Sequence, residues 1–377
     1  MADTSIVKQL TGELFDAQLE VLLNILNADV SQTDSPLVPL NDNYFSRLIA
    51  LSGKHRTNFY LLTYFQKHKH LVSTGSLQQV HERMTRQATK SLQQLNELIS
   101  LCKNLNNADL RYAIIKGPHL ARMLYGNSAV KVSVDLDILM VDQKNLFDFH
   151  AVFINAGYSC YEQRLLTGSW KQKLYISAKR ELHYFNSSAG CALDLHVKPL
   201  ANTIITQHRS RDFFTDLQYI PFEGITIPVL PPEKYFVYLC HHGACHQFAR
   251  LGWLLDIRNF YNQQKEIMVL DKILSIACSI KTKRSVYLAF YLLESLFNVP
   301  VPEKVKPAVH NTRTIEWLAM NCLKAISYEK GESLTVKARF DRIVYLLRLT
   351  PRLAGKVDVI LSLFLRHLVL FLFGSNR

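Results

Sequence analysis

Apolar residues recur along this chain in two periods, and the switch between them divides it. From residue 5 to 27, Leu10, Leu14, Leu19, Leu22, Leu23 and Ile25 recur at helical spacing, since residues three and four apart share a helix face. Pro36 and Pro39 interrupt the chain, and a further helix is expected over 44–70, ending in the basic run Lys67-His68-Lys69-His70. Over 76–105, Leu92, Leu95, Leu98, Ile99, Cys102 and Leu105 form one apolar stripe between polar faces, as in a helix that buries one side. Asn104, Asn106, Asn107 and Asp109 supply its stop.

At residue 110 the period shortens. Arg111 to Ile115 is a short β-rich run, followed by Lys116-Gly117-Pro118 and a helix-like stretch over 118–125. Proline just inside a helix start is favoured because its missing N–H would be unpaired there anyway. Val132 to Val141 is apolar and β-branched, broken only by Asp135 and Asp137, and 142–155 reads as helix. Leu182–Phe185 and Cys191–Val197 flank the turn signal Asn186-Ser-Ser-Ala-Gly190, which predicts a hairpin. Gly224 to Leu230 is a last extended run.

From Pro231 the pattern is helical, with helices expected near 232–246, 250–264, 270–280, 283–296, 313–326, 337–349 and 356–373. The expected class is α+β: a mixed β-sheet core over 109–230, flanked by helical regions over 1–108 and 231–377. The last helix carries Asp358, Arg366 and His367, so it is a poor candidate to span a bilayer, which takes about 20 mostly uncharged residues. It reads either as a buried, docked helix or as a peripheral contact with an anionic membrane through 356–373.

Composition narrows the classes. With 377 residues, 48% hydrophobic and 20% charged, the chain can build a core and is not a disordered one. Its 44 Lys and Arg against 31 Asp and Glu give a formal charge of +13, which favours anionic partners or simply a solvated basic surface. Basic clusters near 54–56 and 67–70 alternate with Tyr60, Tyr64 and Phe65. An amphipathic helix gives the same pattern, so nucleic acid is not the expected partner. Seven scattered cysteines and a start without a basic, apolar leader lead us to expect a reduced, cytoplasmic protein.

The chemistry concentrates on three carboxylates. Asp135 and Asp137 alternate with Leu136 and Ile138, so on a strand both point to one face. Two carboxylates on an apolar strand repel and lose hydration, a cost that a cation between them offsets. Asp194 lies on the second apolar run, sharing a face with His196. Three carboxylates on neighbouring strands suit Mg²⁺ or Mn²⁺, hard ions that bind oxygen and bring phosphate oxygens with them. Upstream, Gly117 between a strand and a helix lets a phosphate approach backbone N–H groups, and Lys116 or Lys131 could neutralise it. His242 and His246 stand four apart on one helix, with Arg250 beyond; with His196 they are candidates to line a cleft for phosphate or acceptor. Glu181 and His183 share a strand face, which reads either as a solvated face or as one with a role beside Asp194.

Together these stretches resemble a nucleotidyltransferase of the DNA polymerase β superfamily, whose pattern is a glycine motif after a strand, Asp-x-Asp on the next strand and a third Asp on a later one. The chain is more closely similar to a bacterial family of predicted nucleotidyltransferases, through Ile115-Lys-Gly-Pro-His-Leu120, Lys131-Val-Ser-Val-Asp-Leu-Asp-Ile-Leu139, Leu193-Asp-Leu-His196, Leu239-Cys-His-His-Gly-Ala-Cys-His246 and Arg250-Leu-Gly-Trp-Leu-Leu-Asp256. It departs from the pattern in having Pro118 at the usual second glycine or serine, Lys131 where the close family tends to carry Arg, and Val134 in place of Gly. The resemblance implies transfer of a nucleoside monophosphate from an NTP to an acceptor such as a polysaccharide precursor, a peptide or a protein. Asp135, Asp137 and Asp194 would then be catalytic and hold two metal ions, and Lys116, Gly117 and Lys131 would bind the nucleotide. Two other readings of the same residues are a metal-dependent glycosyltransferase using the Asp-x-Asp, and a nucleotidyltransferase fold kept as a scaffold at the membrane surface.

Overall fold

The computed structural model describes residues 14–31, 39–131, 133–166, 168–198, 200, 212–214, 216–328 and 336–373. The start of the helix expected over 5–27, with Leu10, and also Pro36 and Val132, lie outside them. The described residues form fifteen α-helices and one seven-stranded mixed sheet, with helices at both ends, the α+β class expected. In chain order the helices are α1 Ala17–Ser31, α2 Asp42–His55, α3 Asn58–Lys67, α4 Thr74–Asn107, α5 Pro118–Tyr125, α6 Leu146–Asn155, α7 Trp170–Ala178, α8 Pro232–Cys245, α9 Leu251–Gln264, α10 Leu270–Ser279, α11 Lys283–Phe297, α12 Lys306–His310, α13 Arg313–Ser327, α14 Val336–Leu349 and α15 Leu353–Phe373. The strands are β1 Tyr112–Ile114, β2 Asp135–Met140, β3 Ser159–Cys160, β4 Glu181–Asn186, β5 Cys191–His196, β6 Gln218–Phe222 and β7 Ile225–Val229.

The chain forms two compact units, each assembled from three separate stretches. The first, 1–86, 239–266 and 282–349, is helical in its described residues. The helix expected over 44–70 is two helices here, because Arg56 adopts a left-handed φ of 56° and caps α2 through its N–H to Gly53. Deep in this unit Arg258 donates to the Leu26 carbonyl at 3.0 Å and lies over the Tyr60 and Phe297 rings.

The second unit, 87–238, 267–281 and 350–377, holds the sheet. Strand order is β3-β4-β5-β2-β1-β7-β6; β2 runs parallel to β5 and β1 parallel to β7, and the other pairs are antiparallel. One face is the core. Leu136, Ile138 and Met140 of β2, Leu193 and Leu195 of β5, and Leu182 and Tyr184 of β4 bury there against Leu95, Leu98, Cys102 and Leu105 of α4. The alternation of each strand sends its polar residues to the opposite face.

Two strands and one helix of this unit escaped the sequence pattern. β6 contains Pro221 and pairs on one side only, the edge position where a missing N–H is tolerated. Glu223 and Gly224, with φ of 46° and 79°, turn it into β7. β3 is two residues long, and α7 shows no clear apolar period. On α4, Leu92 is half exposed. Gln94 takes a place on the buried side instead, where its amide donates to the Ser133 carbonyl at 2.9 Å and accepts the Ser133 N–H at 3.2 Å, imitating a strand partner for the segment that leads into Asp135.

α15 packs on α7. Asp358, Val359, Ser362 and Val369 are buried, while Leu353, Val357, Ile360, Phe364 and Phe371 are exposed. Among the described residues no helix is long and apolar enough to cross a membrane.

Candidate functional site

The carboxylates meet because β2 and β5 run parallel in one register. Asp137 stands opposite Asp194, and Asp135 lies two residues earlier on the same face, opposite Ala192. On the other side of β5, His183 of β4 stands opposite Asp194 and Glu181 opposite His196. A single face of three strands therefore carries Asp135, Asp137, Glu181, His183, Asp194 and His196.

Asp137 is the buried anchor of this face. Its Oδ1 accepts from His196 Nε2 at 2.7 Å and from Lys116 Nζ at 3.4 Å. Burial opposes its charge, but Lys116 and His196 outweigh burial and hold the carboxyl well below the usual range. Burial in turn pushes the His196 ring down, helped by Arg180. Lys116 leaves the end of β1, stays partly exposed and sits 5.8 Å from the Tyr238 ring. The Tyr235 hydroxyl donates to the Ile115 carbonyl at 2.7 Å, pinning the backbone just before it.

Gly117 follows with φ 82° and ψ −150°, a conformation essentially confined to glycine. It is the N-cap of α5, with Pro118 in the first turn. This turn presents the open N–H end of a helix beside Asp137, whose backbone carbonyl accepts the Ile115 N–H at 3.4 Å. Lys131 is half-buried on the chain leading into β2.

Asp194 is in the opposite condition to Asp137. Burial, Asp135 and Asp137 push its carboxyl up to about 8, against a smaller opposing pull from His183. That is the electrostatic mark of a place short of positive charge, and a divalent cation fits it. Glu181, His183 and Asp194 each offer a donor atom within 4.8 Å of the others.

Of the two readings of Glu181 and His183, the fold sets His183 opposite Asp194; sequence reasoning missed Glu162. In the fold, Glu162 accepts from the His183 ring Nδ1 at 2.9 Å and from its backbone N–H at 2.9 Å, and from the Tyr175 hydroxyl at 3.0 Å. Burial works against the Glu162 charge, but His183 and Tyr175 hold the carboxyl below its usual range. The bond to Glu162 is the main cause that raises the His183 ring above its ordinary value. The one signal available in the sequence was the hairpin register itself, which sets His183 across from Asp194.

Of the residues expected to line a cleft, His196 stands among the carboxylates of the second unit. His242, His246 and Arg250 belong to the first unit, where they gather on Trp253: the His242 ring is 5.6 Å and the His246 ring 5.2 Å from the indole, with the Arg250 guanidinium 5.2 Å from it.

Comparison with curated proteins returns no match, and comparison with solved structures returns none. A family model described as an uncharacterised nucleotidyltransferase matches residues 41–298, about two thirds of the chain, a span that holds the whole carboxylate face and the Lys116-Gly117 turn. With that span matched, the chain belongs to the uncharacterised nucleotidyltransferase family, a family of transferases.

Proposed function

We propose that this enzyme transfers a nucleoside monophosphate from an NTP to an acceptor hydroxyl and releases pyrophosphate. The observation that carries the reading is the parallel, in-register pairing that sets Asp137 across from Asp194 with Asp135 on the same face, next to a glycine-capped helix start. Asp135, Asp137 and Asp194 would hold divalent cations, Mg²⁺ or Mn²⁺, which supply charge stabilisation to the attacking and leaving oxygens of an in-line displacement. The open N–H groups after Gly117 receive the terminal phosphates, and Lys116 and Lys131 add positive charge beside them. Without a cation the Asp194 carboxyl is pushed up to about 8; a cation held there would ionise it, and the carboxylate would then take the acceptor's hydroxyl proton. The new oxygen–phosphorus bond forms at the α-phosphorus as the bond to the bridging oxygen breaks, and pyrophosphate leaves with that electron pair.

The acceptor we envisage is a hydroxyl on a polysaccharide precursor, a peptide or a protein, and the basic chain meets it at an anionic membrane surface through 356–373. What supports this last element is the exposed row Leu353, Val357, Ile360, Phe364 and Phe371 on a helix whose single acid, Asp358, is buried.

The test is thermal unfolding with each NTP plus Mg²⁺, together with pyrophosphate release, for wild type and Asp135→Asn/Asp137→Asn. A ligand that binds the folded state raises its apparent stability by mass action. A metal-dependent rise in wild type that the double variant loses is the expected result. A folded wild-type sample that shows no rise with any NTP overturns the proposal.

A further inference from the structure

We propose that the β4–β5 hairpin carries a cation position of its own, built from nitrogen as well as oxygen donors, which takes a transition-metal ion such as Mn²⁺ in preference to Mg²⁺. Its ligands are Glu181, His183 and Asp194, with His196 Nδ1 3.4 Å from Glu181. The proposal rests on the nucleotidyltransferase reading only in that Asp194 serves both.

Three observations carry it. The first is the donor set: a carboxylate oxygen from Glu181, another from Asp194 and a ring nitrogen from His183 lie within 4.8 Å of one another. Mutual spacings of about 3–4 Å are what ligands held at roughly 2.1 Å from one ion require, so a small rotation of these partly exposed side chains closes the set.

The second is the support behind His183. Glu162 is an acceptor only, so His183 Nδ1 donates to it at 2.9 Å, and the lone pair of the neutral ring falls on Nε2. Nε2 is the nitrogen that faces Glu181, 3.9 Å from its Oε1. A carboxylate that fixes a histidine through its far nitrogen is the usual outer support of a metal-binding imidazole. Here that carboxylate is itself held by Tyr175 and by the His183 N–H.

The third concerns the neighbour of Glu181 on β5. His196 is 1% exposed and donates Nε2–H to Asp137 at 2.7 Å. Its Nδ1 is buried and makes no hydrogen bond, although Glu181 Oε2 lies 3.4 Å away. A buried ring nitrogen without a hydrogen bond beside a carboxylate is costly, and a cation held on Glu181 would offset that cost. Imidazole donors favour Mn²⁺, Zn²⁺ and similar ions over Mg²⁺, which prefers oxygen and retains its water.

The experiment uses the full chain without nucleotide, loaded with Mn²⁺ in the presence of excess Mg²⁺. Pulsed electron paramagnetic resonance reads whether the bound Mn²⁺ couples to a nitrogen nucleus. Expected are a nitrogen-coupled signal in wild type, its retention in Asp135→Asn, and at least about a tenfold loss of Mn²⁺ affinity in His183→Gln. His183→Gln keeps a side-chain donor for Glu162, and its unfolding curve, recorded alongside, shows whether it is folded. Glu162→Gln leaves every proposed ligand in place and serves as the second variant, with weaker Mn²⁺ binding expected. Bound Mn²⁺ without nitrogen coupling overturns the proposal, because the ion then sits among oxygens alone. Equal binding by wild type and both variants overturns it too, as does complete displacement by Mg²⁺. None of these readouts involves NTP. Failure of the transfer reaction would leave the nitrogen-coupled ion standing, and failure of the coupling would leave the transfer reaction standing.

Discussion

Asp194 holds a proton near neutral pH that the same residue gives up in the unfolded chain. Burial, then Asp135, puts its carboxyl at about 8 against an ordinary 3.8. The sign follows from which state binds more protons. Because the folded value is the higher one, the contribution of Asp194 to stability is complete below about pH 4 and disappears as pH rises through about 8. Urea unfolding of the ion-free protein in chelator should therefore show stability declining across that window, and Asp194→Asn should flatten the decline. An unchanged pH dependence in the variant would mean that Asp194 is not the group responsible. Asp135 and Asp137 were legible as a pair from residue spacing alone, since i and i+2 on a strand share a face, and the hairpin set His183 near Asp194. The pairing of β2 with β5 and the return of Glu162 to His183 were not, because no local period records such non-local contacts.

Among the elements, the turn from β1 into α5 is where backbone conformation and chemistry coincide. Gly117 has φ 82°, and a Cβ placed there would meet nothing nearer than Leu136 Cδ2 at 3.8 Å. Space is available, so Gly117→Ala isolates the backbone cost, about 1–3 kcal/mol for a non-glycine residue in this region. A lower unfolding midpoint and weaker NTP binding are expected in that variant; an alanine tolerated without loss would show that the turn can relax. The sequence marked this turn clearly, with proline after glycine and a helix beyond, and it marked the strong strands and the long helices as well. It was silent where packing rather than pattern makes the element. β6 holds its place as an edge despite Pro221, and Gln94 is buried on α4 because it pairs with the backbone of Ser133, a use of glutamine that hydropathy reads as exposed.

On the scale of the whole molecule, the membrane contact proposed above joins two features, a formal charge of +13 and the exposed row on α15. α7, against which α15 packs, brings the exposed side chains Trp170, Lys171 and Lys173. A second copy of so basic a surface would repel the first, whereas anionic lipid headgroups attract it. Sedimentation with anionic vesicles should capture the protein, and Ile360→Asp/Phe364→Asp should weaken capture roughly tenfold or more, the worth of two large apolar side chains left in water. Equal capture of the variant would remove this helix as the contact. The inner side of the same helix has a consequence in time. Val369 belongs to the same core cluster as the strands that carry the carboxylates, so that cluster is complete only once residue 369 has been translated. At roughly 5–20 residues per second, Asp194 emerges on the order of ten seconds or more before Val369. Through that interval the cluster has α4 but lacks the contribution of α15, and a chain stopped just short of α15 should leave the ribosome more prone to aggregate even with every proposed active-site residue already made.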